Sequence, residues 1–455
     1  MKFLSACALV TVSFSFQMGL LAQTSSRMML WKQPSFFRGF NLAQDIPITQ
    51  KDLLDLKKIG ATLAYLSTEG FRDPTPPYAE DSANIQVLDE RVQYCDSARI
   101  YYTIAVRQGP GRNDVYLEGD GQAPPSTIWK NPKEQELYGS MLRAITARYA
   151  QDTLCVGITP TVEPNPFFDS LCCVDSASFA TFFARNGVNF TAITELWVDS
   201  IRAASRTIPI LIQGPGYSNP IVYSTVPIIN DPNIVYEFHD YHPTQYVKAA
   251  QNAAVSYPGA YLDMVNDVPE VPTFNKRFIE DTLFDYISAV QAETHAPIFM
   301  GEFGLEYPHT GGTQFLSDMA SIAIDKGWHF AYWDWRRPSG WGGWDYEHWD
   351  PSYMAAIDES FIEQNESVAE SLAPAATLSF TQEVPGSIRV DWSGLEPPGS
   401  TVSVQLFDMI GRLERTFTAN SHNVLLPTSG LAAGPYLIVL RSGAAQATAF
   451  LSISR

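Results

Sequence analysis

The feature that most constrains the fold of this sequence is an alternation of two patterns between about residue 36 and residue 358. Short runs of apolar, β-branched or aromatic residues end in polar or glycine-rich loops, and segments with apolar residues at helical spacing follow them. The first pattern is typical of buried strands and the second of amphipathic helices. We predict eight strands, over Phe37–Leu42, Ala61–Ser67, Ile100–Val106, Cys155–Glu163, Ile208–Gly214, Ile234–Tyr241, Pro297–Gly304 and His329–Trp335.

The segments between these runs have helical periodicity. In the clearest of them, four apolar residues fall on one helical face: Tyr138, Leu142, Ile145 and Tyr149. Strand-then-helix units repeated eight times predict a parallel (β/α)8 TIM barrel. Two stretches break the pattern. Several prolines between residues 218 and 232 leave little room for a helix, and residues 243–272 are typical of a long loop with local helix.

Both ends of the chain differ from this central region. Residues 1–22 resemble a secretory signal peptide, with Lys2 before an apolar stretch. A membrane anchor is the alternative, but polar residues interrupt the apolar run that a spanning helix needs. We predict a barrel over residues 23–358, a linker over 359–376 and a small β-sandwich over 377–455, where alternating runs are separated by Gly and Pro turns.

Charge limits the partners that this chain can bind. The sequence has 30 Lys and Arg against 49 Asp and Glu, a net charge of −19, which argues against nucleic acid and anionic membrane surfaces. Aromatic residues make up 13% of the chain, a content that suits stacking on sugar rings as well as a large core. We therefore expect a neutral ligand.

The cysteines and histidines indicate no metal centre. Cys7 lies in the predicted signal segment, and the other four can form disulfides whose pairing stays open: Cys95, Cys155, Cys172 and Cys173. No Cys-x-x-Cys pair, no histidine cluster with ligand spacing and no phosphate-binding loop is present in the sequence. We expect neither a metal nor an organic cofactor.

Two carboxylates lie where the chemistry of a barrel is expected. Glu163 closes the fourth predicted strand in TPTVEPNP, and Glu302 closes the seventh in FMGEFG. Active sites of this fold lie at the carboxyl ends of the strands. One glutamate at a strand end is more often a structural hydrogen-bonding group. Two glutamates at the ends of strands four and seven instead favour a pair that hydrolyses a glycosidic bond. One of them would protonate the leaving oxygen and the other would attack the anomeric carbon.

Two further strands end in polar or aromatic residues. His239 and Tyr241 are two apart on the sixth predicted strand, so they point to one side and can orient a carboxylate and a sugar hydroxyl. The alternative is a half-buried pair that stabilises the barrel mouth. Trp333 and Trp335 on the eighth can form a platform under a sugar ring, and for one of them we expect ordinary packing instead.

Five short motifs together resemble glycoside hydrolase family 5, a retaining, cellulase-type family. They are RGFNL on the first strand, EPN at Glu163, FHDY on the sixth strand, GEFG on the seventh and AYWDW on the eighth. The resemblance covers about residues 31–358. It implies a TIM-barrel hydrolase that uses two glutamates and no cofactor.

The resemblance also implies a role for each matching residue. Glu163 would be the acid/base and Glu302 the nucleophile. Tyr241 would hydrogen-bond the nucleophile, and His239 would help to position the acid/base and the substrate. Trp333 would form the floor of the −1 subsite.

The sequence departs from the family pattern in three places. Val162 stands where the family has an Asn before the acid/base, and Asn165 beyond the proline is a candidate replacement. The usual second-strand Arg is absent from LAYLSTEG, where Ser67 and Glu69 stand instead. The usual third-strand His is absent from TIAVRQGPG. Our hypothesis is that Arg107 supplies the missing guanidinium from the adjacent strand.

The C-terminal module has a resemblance of its own. VQLFDMIGR followed by GLAAGPYLIVL is similar to the type IX secretion sorting domain of Bacteroidetes-type bacteria. The residues that carry it are Asp408, Gly411, Arg412, Gly434, Tyr436 and Leu437. It implies secretion machinery as a partner and a secreted or cell-surface location. The alternative is a carbohydrate-binding sandwich, for which the few aromatics after residue 377 are a poor match.

Together these features predict a secreted, monomeric, retaining glycoside hydrolase that cleaves a β-linked polysaccharide, most simply an endo-β-1,4-glucanase. A β-mannanase or another β-glycanase of the same family is one alternative. A non-catalytic polysaccharide-binding protein on a degenerate barrel is another, and a transglycosylase with the same glutamates is a third.

Overall fold

A computed structural model describes most of the barrel region and the strands of the C-terminal module. The chain divides into two compact units, residues 1–360 and 361–455. The predicted signal segment, Cys172, Cys173, Gly411, Arg412 and most of the predicted linker lie outside the described residues. The described residues are 25–113, 126–166, 176–247, 255–261, 271–305, 310–336, 360–361, 377–384, 387–393, 401–408, 413–419, 422–431, 434–442 and 445–453.

The first unit is a closed barrel of eight parallel strands, which confirms the predicted fold. Each strand pairs with its neighbours in the sequence, and the eighth pairs with the first. The strands are Arg38–Leu42, Leu63–Thr68, Tyr101–Val106, Cys155–Thr159, Ile210–Gln213, Ile234–Asp240, Ile298–Phe303 and His329–Tyr332.

Helices connect the strands wherever the sequence has helical periodicity. The predicted face of the helix Pro132–Tyr149 is buried, and Asn131 caps its first turn by accepting from the Lys133 N–H. The described α-helices are Ser26–Trp31, Gln50–Lys58, Ser82–Ala98, Pro132–Tyr149, Ser176–Asn186, Phe190–Ala204, Thr244–Val247, Lys276–Phe278, Asp285–Thr294 and Gly312–Asp325. Ile128–Lys130 and Pro220–Thr225 are 3-10 helices, and Ile279–Leu283 is a π-helical turn. No helix among the described residues is long and apolar enough to span a membrane.

In the described residues, both irregular stretches contain only short helices, as the sequence predicts. The connection between the fifth and sixth strands is only the 3-10 helix Pro220–Thr225, which begins at a proline. The second stretch contains the short helix Thr244–Val247. It also contains an antiparallel hairpin that the sequence did not predict, formed by Gly259–Tyr261 and Val271–Phe274.

An apolar cluster fills the amino-terminal part of the barrel. It takes two residues from the second strand and one from each of the third to eighth strands: Leu63, Tyr65, Ala105, Val156, Leu211, Val235, Phe299 and Ala331. The helix Ser26–Trp31 closes this end, because the Trp31 indole donates to the Val156 carbonyl and His329 contacts the Trp31 carbonyl. This end of the barrel is therefore filled mainly by hydrocarbon.

Two strands end well before their predicted last residue, whereas the fifth, sixth and seventh end one residue before it. The fourth strand ends at Thr159, so Glu163 lies four residues beyond it in a loop rather than at its end. The eighth ends at Tyr332, which places Trp333 and Trp335 in the following loop. The prediction that these strands continue through Glu163 and Trp335 is wrong, because backbone pairing in both stops before the polar turn.

The second unit contains two antiparallel sheets with a common core. Their strands are Thr377–Val384, Ser387–Ser393 and Asn423–Pro427 in one sheet, and Val402–Asp408, Leu413–Ala419, Gly434–Ser442 and Ala445–Ile453 in the other. Trp392 and Leu426 of the first sheet lie in one buried cluster with Leu406 and Ile438 of the second. A small β-sandwich is therefore confirmed, although the strands that begin at Leu413 and Ala445 were not predicted.

Two of the four predicted mature cysteines are free thiols. Cys95 and Cys155 are both fully buried and form no disulfide. Burial raises the pKa of both thiols, that of Cys155 to about 12. They are inert core residues in this structure.

Candidate active site

Three of the predicted residues meet at the carboxyl end of the barrel. Each of Glu163, His239 and Glu302 has a polar side-chain atom within 4.8 Å of the other two. Arg107 and Tyr241 contact Glu302 from opposite sides, one on each carboxylate oxygen. The structure therefore brings five separately predicted side chains into one cluster.

A β-bulge sets the position of Glu302 within the seventh strand. Phe238 of the sixth strand pairs with Met300, but His239 pairs with Glu302, so that Gly301 is skipped. The bulge turns Glu302 toward the ring of His239. Burial raises the pKa of the Glu302 carboxyl, since desolvation outweighs the nearby charges of His239 and Arg107.

Arg107 lies directly after the third strand and holds this carboxylate. Its Nη2 forms an ion pair with Oε1 of Glu302, and its Nε donates to the Ser67 hydroxyl at 3.3 Å. The guanidinium carbon lies 4.8 Å from the centre of the Trp333 ring, a cation–π contact. Arg107 thus connects the second strand, through Ser67, with the seventh strand, through Glu302.

Glu163 occupies a left-handed backbone conformation, with φ of 48°. Non-glycine residues adopt this conformation rarely, and it is frequent at functional sites. The Glu163 N–H donates to Oε1 of Gln213 at 2.6 Å, and Oε1 of its carboxylate lies 2.9 Å from Nδ1 of His239. Burial alone would raise the pKa of this carboxyl, but His239 and Arg107 together hold it below its ordinary value.

A buried arginine holds the loop that carries Glu163. Arg112 donates from Nη2 to the carbonyl of Val162 and from Nη1 to the carbonyl of Arg107. The Val162 side chain is fully buried in the apolar cluster of the barrel, so this residue contributes only its backbone to the site. Asn165, two residues after Glu163, is half-buried in the same loop.

His239 is surrounded by carboxylates. Its Nδ1 lies 2.9 Å from Glu163 and 3.5 Å from Oε2 of Glu302, and its Nε2 lies 3.4 Å from Oε1 of Glu237. Burial lowers the pKa of an imidazole, but the charge of Glu302 and the hydrogen bonds to Glu163 and Glu237 outweigh it. The result is a pKa of about 10 for His239. The ring is therefore a cation at neutral pH.

The two tryptophans have different environments. Trp333 is half-buried beside Arg107, and the exposed part of its ring can meet a ligand. Trp335 is 0% exposed, packs against Phe40 and donates its indole N–H to Asp52 at 3.0 Å. The prediction that Trp335 binds substrate is therefore wrong, because its ring belongs to the packing between barrel and helix.

Sequence reasoning missed three residues of the site. Glu237 and Gln213 contact the ring of His239, and Arg112 holds the loop of Glu163. Glu237 had a signal, since it is a charged residue inside an otherwise apolar strand, two residues from His239 and hence on the same face. Gln213 closes an apolar strand, which is a weaker signal of the same kind. Nothing in the sequence marked Arg112.

Comparison with known proteins agrees with this geometry. The family model described as Cellulase (glycosyl hydrolase family 5) matches residues 62–339. The chain belongs to this family. It is a glycoside hydrolase, as the sequence motifs predict.

The relatives of this family member include proteins named endoglucanases. Endoglucanase C of Acetivibrio thermocellus is 22% identical over 288 residues, which cover 57% of this chain and 75% of that protein. Among solved structures, the endoglucanase Cel5A of Thermotoga maritima gives a TM-score of 0.53 at 14% identity, covering 73% of this chain and 98% of the other. The cellulose synthase subunit Z of Clostridioides difficile gives 0.52 at 18% identity, covering 70% and 99%. The structural similarities establish the shared fold.

The raised pKa of His239 leads to a prediction about how the unfolding free energy depends on pH. A group whose pKa is raised on folding stabilises the protein fully below its unfolded pKa, here about 6.5, and loses that contribution as the pH rises through the folded pKa. For His239 the folded pKa is about 10. We expect the difference in unfolding free energy between wild type and His239→Gln to be largest near pH 6 and to shrink toward pH 10, measured by urea denaturation.

The control for this measurement is another buried histidine of the same barrel. Burial lowers the pKa of His329 to about 4, so its ring is neutral throughout this pH range. The difference between wild type and His329→Gln should therefore stay constant from pH 6.5 to pH 10. Equal slopes for the two variants would contradict the charged state of His239.

Proposed function

We propose that this glycoside hydrolase cleaves internal bonds of a β-1,4-linked glucan by double displacement, with Glu302 as the nucleophile and Glu163 as the acid/base. The observation that carries the mechanism is the separation of the two carboxylates, which have oxygens within 4.8 Å of each other. Retaining glycosidases place these groups about 5–5.5 Å apart, whereas inverting enzymes need about 6.5–9.5 Å to admit a water molecule.

The first step uses the two carboxylates in opposite states. Glu302 attacks the anomeric carbon while Glu163 gives a proton to the leaving oxygen, so the glycosidic bond breaks as a glycosyl ester forms. Arg107 and Tyr241 bind the two oxygens of Glu302, Tyr241 donating at 3.1 Å. These contacts orient the nucleophile and favour its ionised form, whereas burial raises its pKa and favours the protonated form.

The second step reverses the role of Glu163. As a carboxylate it takes a proton from water, and the resulting hydroxide attacks the anomeric carbon and releases Glu302. The hydrogen bond from His239 to Glu163 favours the ionised form that this step requires. Retention of the anomeric configuration follows from two successive inversions.

The substrate assignment rests on the relatives and on the character of the cleft. The matched relative from Acetivibrio thermocellus is an endoglucanase. Trp333 beside Arg107 offers an aromatic face for a sugar in the −1 subsite. The net charge of −19 suits an uncharged polymer. A structure of the Thermotoga maritima relative is described with mannotriose, which makes mannan the second polymer to test.

Reducing-end release from β-glucans, mannan, xylan and xyloglucan tests this proposal. We expect release from a β-1,4-glucan by wild type, and a loss of at least about 10³-fold in Glu163→Gln and Glu302→Gln, because each removes one half of the acid–nucleophile pair. The first anomer formed, followed by NMR, should be the β-anomer. Binding without release on every polymer would instead indicate a non-catalytic barrel.

Arg107 is expected to be essential for the same reaction. Arg107→Ala removes the cation that pairs with the nucleophile, so we expect kcat/KM to fall by about 10²-fold or more. Arg148→Ala is the matched control, because this exposed arginine pairs with Asp89 and Tyr149 on the outer surface. Unchanged catalytic constants in Arg107→Ala would refute the replacement of the second-strand Arg.

We further propose that residues 377–455 are a type IX sorting domain and that the enzyme is exported to the cell surface or medium. The Asp408 and Tyr436 motifs and the β-sandwich of this unit support the proposal. In a bacterium with type IX secretion, deletion of residues 377–455 should leave the enzyme inside the cell envelope, as shown by fractionation. Equal export of both forms would contradict it.

A further inference from the structure

One carboxylate of the barrel has no part in the mechanism above. Glu237 lies on the sixth strand and is fully buried, with Oε2 accepting from the Thr159 hydroxyl at 2.6 Å. A carboxylate is costly to bury unless its oxygens are paired. Its second oxygen, Oε1, faces Nε2 of His239.

The neighbouring strand makes room for this carboxylate. A Cβ at position 301 would lie 2.2 Å from Oε1 of Glu237, so any larger residue there would displace this carboxylate. Two buried phenols are the other titratable groups beside it. Burial and the charge of Glu237 raise the pKa of Tyr65 and of Tyr223, which keeps both rings neutral. His239 is thus the cation that Glu237 faces.

Two groups compete for Nε2 of His239. Gln213 has a fixed orientation because its Oε1 accepts from the Glu163 N–H, so its amide nitrogen lies 3.0 Å from Nε2 and can only donate. Oε1 of Glu237, at 3.4 Å, can only accept. Gln213 therefore favours a lone pair on Nε2, and Glu237 favours a proton there.

We propose that Glu237 is a positioning residue that keeps a proton on Nε2 of His239, so that Nδ1 is the nitrogen that exchanges a proton with Glu163. This inference rests on the proposed acid/base role of Glu163. The groups that face Nδ1 are Glu163 at 2.9 Å and Glu302 at 3.5 Å, with Arg107 paired to Glu302 on the far side.

The proton balance shows why the choice of nitrogen matters. When the Nδ1 proton moves to Oε1 of Glu163, a neutral imidazole remains with its proton on Nε2, and Glu163 becomes an acid that can protonate the leaving oxygen. In the opposite neutral tautomer Nε2 accepts from Gln213, and Nδ1 keeps its proton. That arrangement leaves Glu163 ionised and without a proton to give.

Nitrogen NMR of the full chain labelled with 15N-histidine reads the state of Nε2 directly. The resonances lost in His239→Gln assign this ring. At pH 7 we expect a protonated Nε2 in wild type and a smaller protonated fraction of Nε2 in Glu237→Gln, whose amide can also donate, while Glu163 and Glu302 still face the ring. Thr159→Val is the matched control, since it removes a hydrogen bond of Glu237 but keeps its charge, and Nε2 should stay protonated.

An unprotonated Nε2 in wild type, or an equal protonated fraction of Nε2 in wild type and in folded Glu237→Gln, would overturn the proposal. The wild-type spectrum tests the protonation of Nε2 even where the variant does not fold. Because it needs no substrate, it also separates failure of this inference from failure of the proposed function.

Kinetics distinguish positioning from a general structural effect. We expect kcat on the polysaccharide to fall by about 10²-fold in Glu237→Gln, the size of a general-acid contribution. The leaving group of a dinitrophenyl glycoside needs no proton. The loss of kcat that Glu237→Gln causes on this substrate should therefore be at least about tenfold smaller than its loss on the polysaccharide. Equal losses on both substrates would indicate that Glu237 only maintains the structure.

Discussion

Buried charge at the carboxyl end of the barrel governs the rest of this site. Glu163, Glu237 and Glu302 share a small volume from which water is largely excluded. Like charges at such distances repel strongly in a medium of low dielectric constant. His239 lies among all three, and Arg107 pairs with Glu302, so two cations offset the repulsion. The pKa values of the two proposed catalytic carboxyls follow from this balance, because neither group can be understood apart from its neighbours.

The backbone holds these charges in place through two local irregularities. The bulge at Gly301 turns Glu302 toward His239 and leaves space for Glu237. The left-handed conformation of Glu163 lies in a loop whose carbonyl at Val162 is bound by Arg112. Regular strands alone would not direct both carboxylates to the same point. The apolar cluster at the other end of the barrel supplies the rigid base on which these irregularities rest.

The position of Arg107 shows how a parallel barrel tolerates changes in its polar residues. Ser67 and Ala105 are paired across the second and third strands, and Arg107 follows two residues later. Neighbouring strands are only about 4.8 Å apart, so a long side chain on one strand can reach a position that is also within reach of side chains on the next strand. In this barrel the side chain that pairs with Glu302 therefore comes from the end of the third strand and also contacts Ser67 of the second.

The sequence by itself determined the number and order of the barrel strands, the buried face of the helix Pro132–Tyr149 and the identity of five residues in the cluster around Glu302. These follow from local rules, because the periods of strands and helices are properties of short segments and strand ends converge in any parallel barrel. The tertiary structure alone decided where pairing stops, and hence that Trp335 lies in the core rather than in the cleft. It also decided that Glu237, Gln213 and Arg112 join the site, and that His239 is charged. These outcomes depend on distances between residues far apart in the chain, which no local pattern of residues specifies.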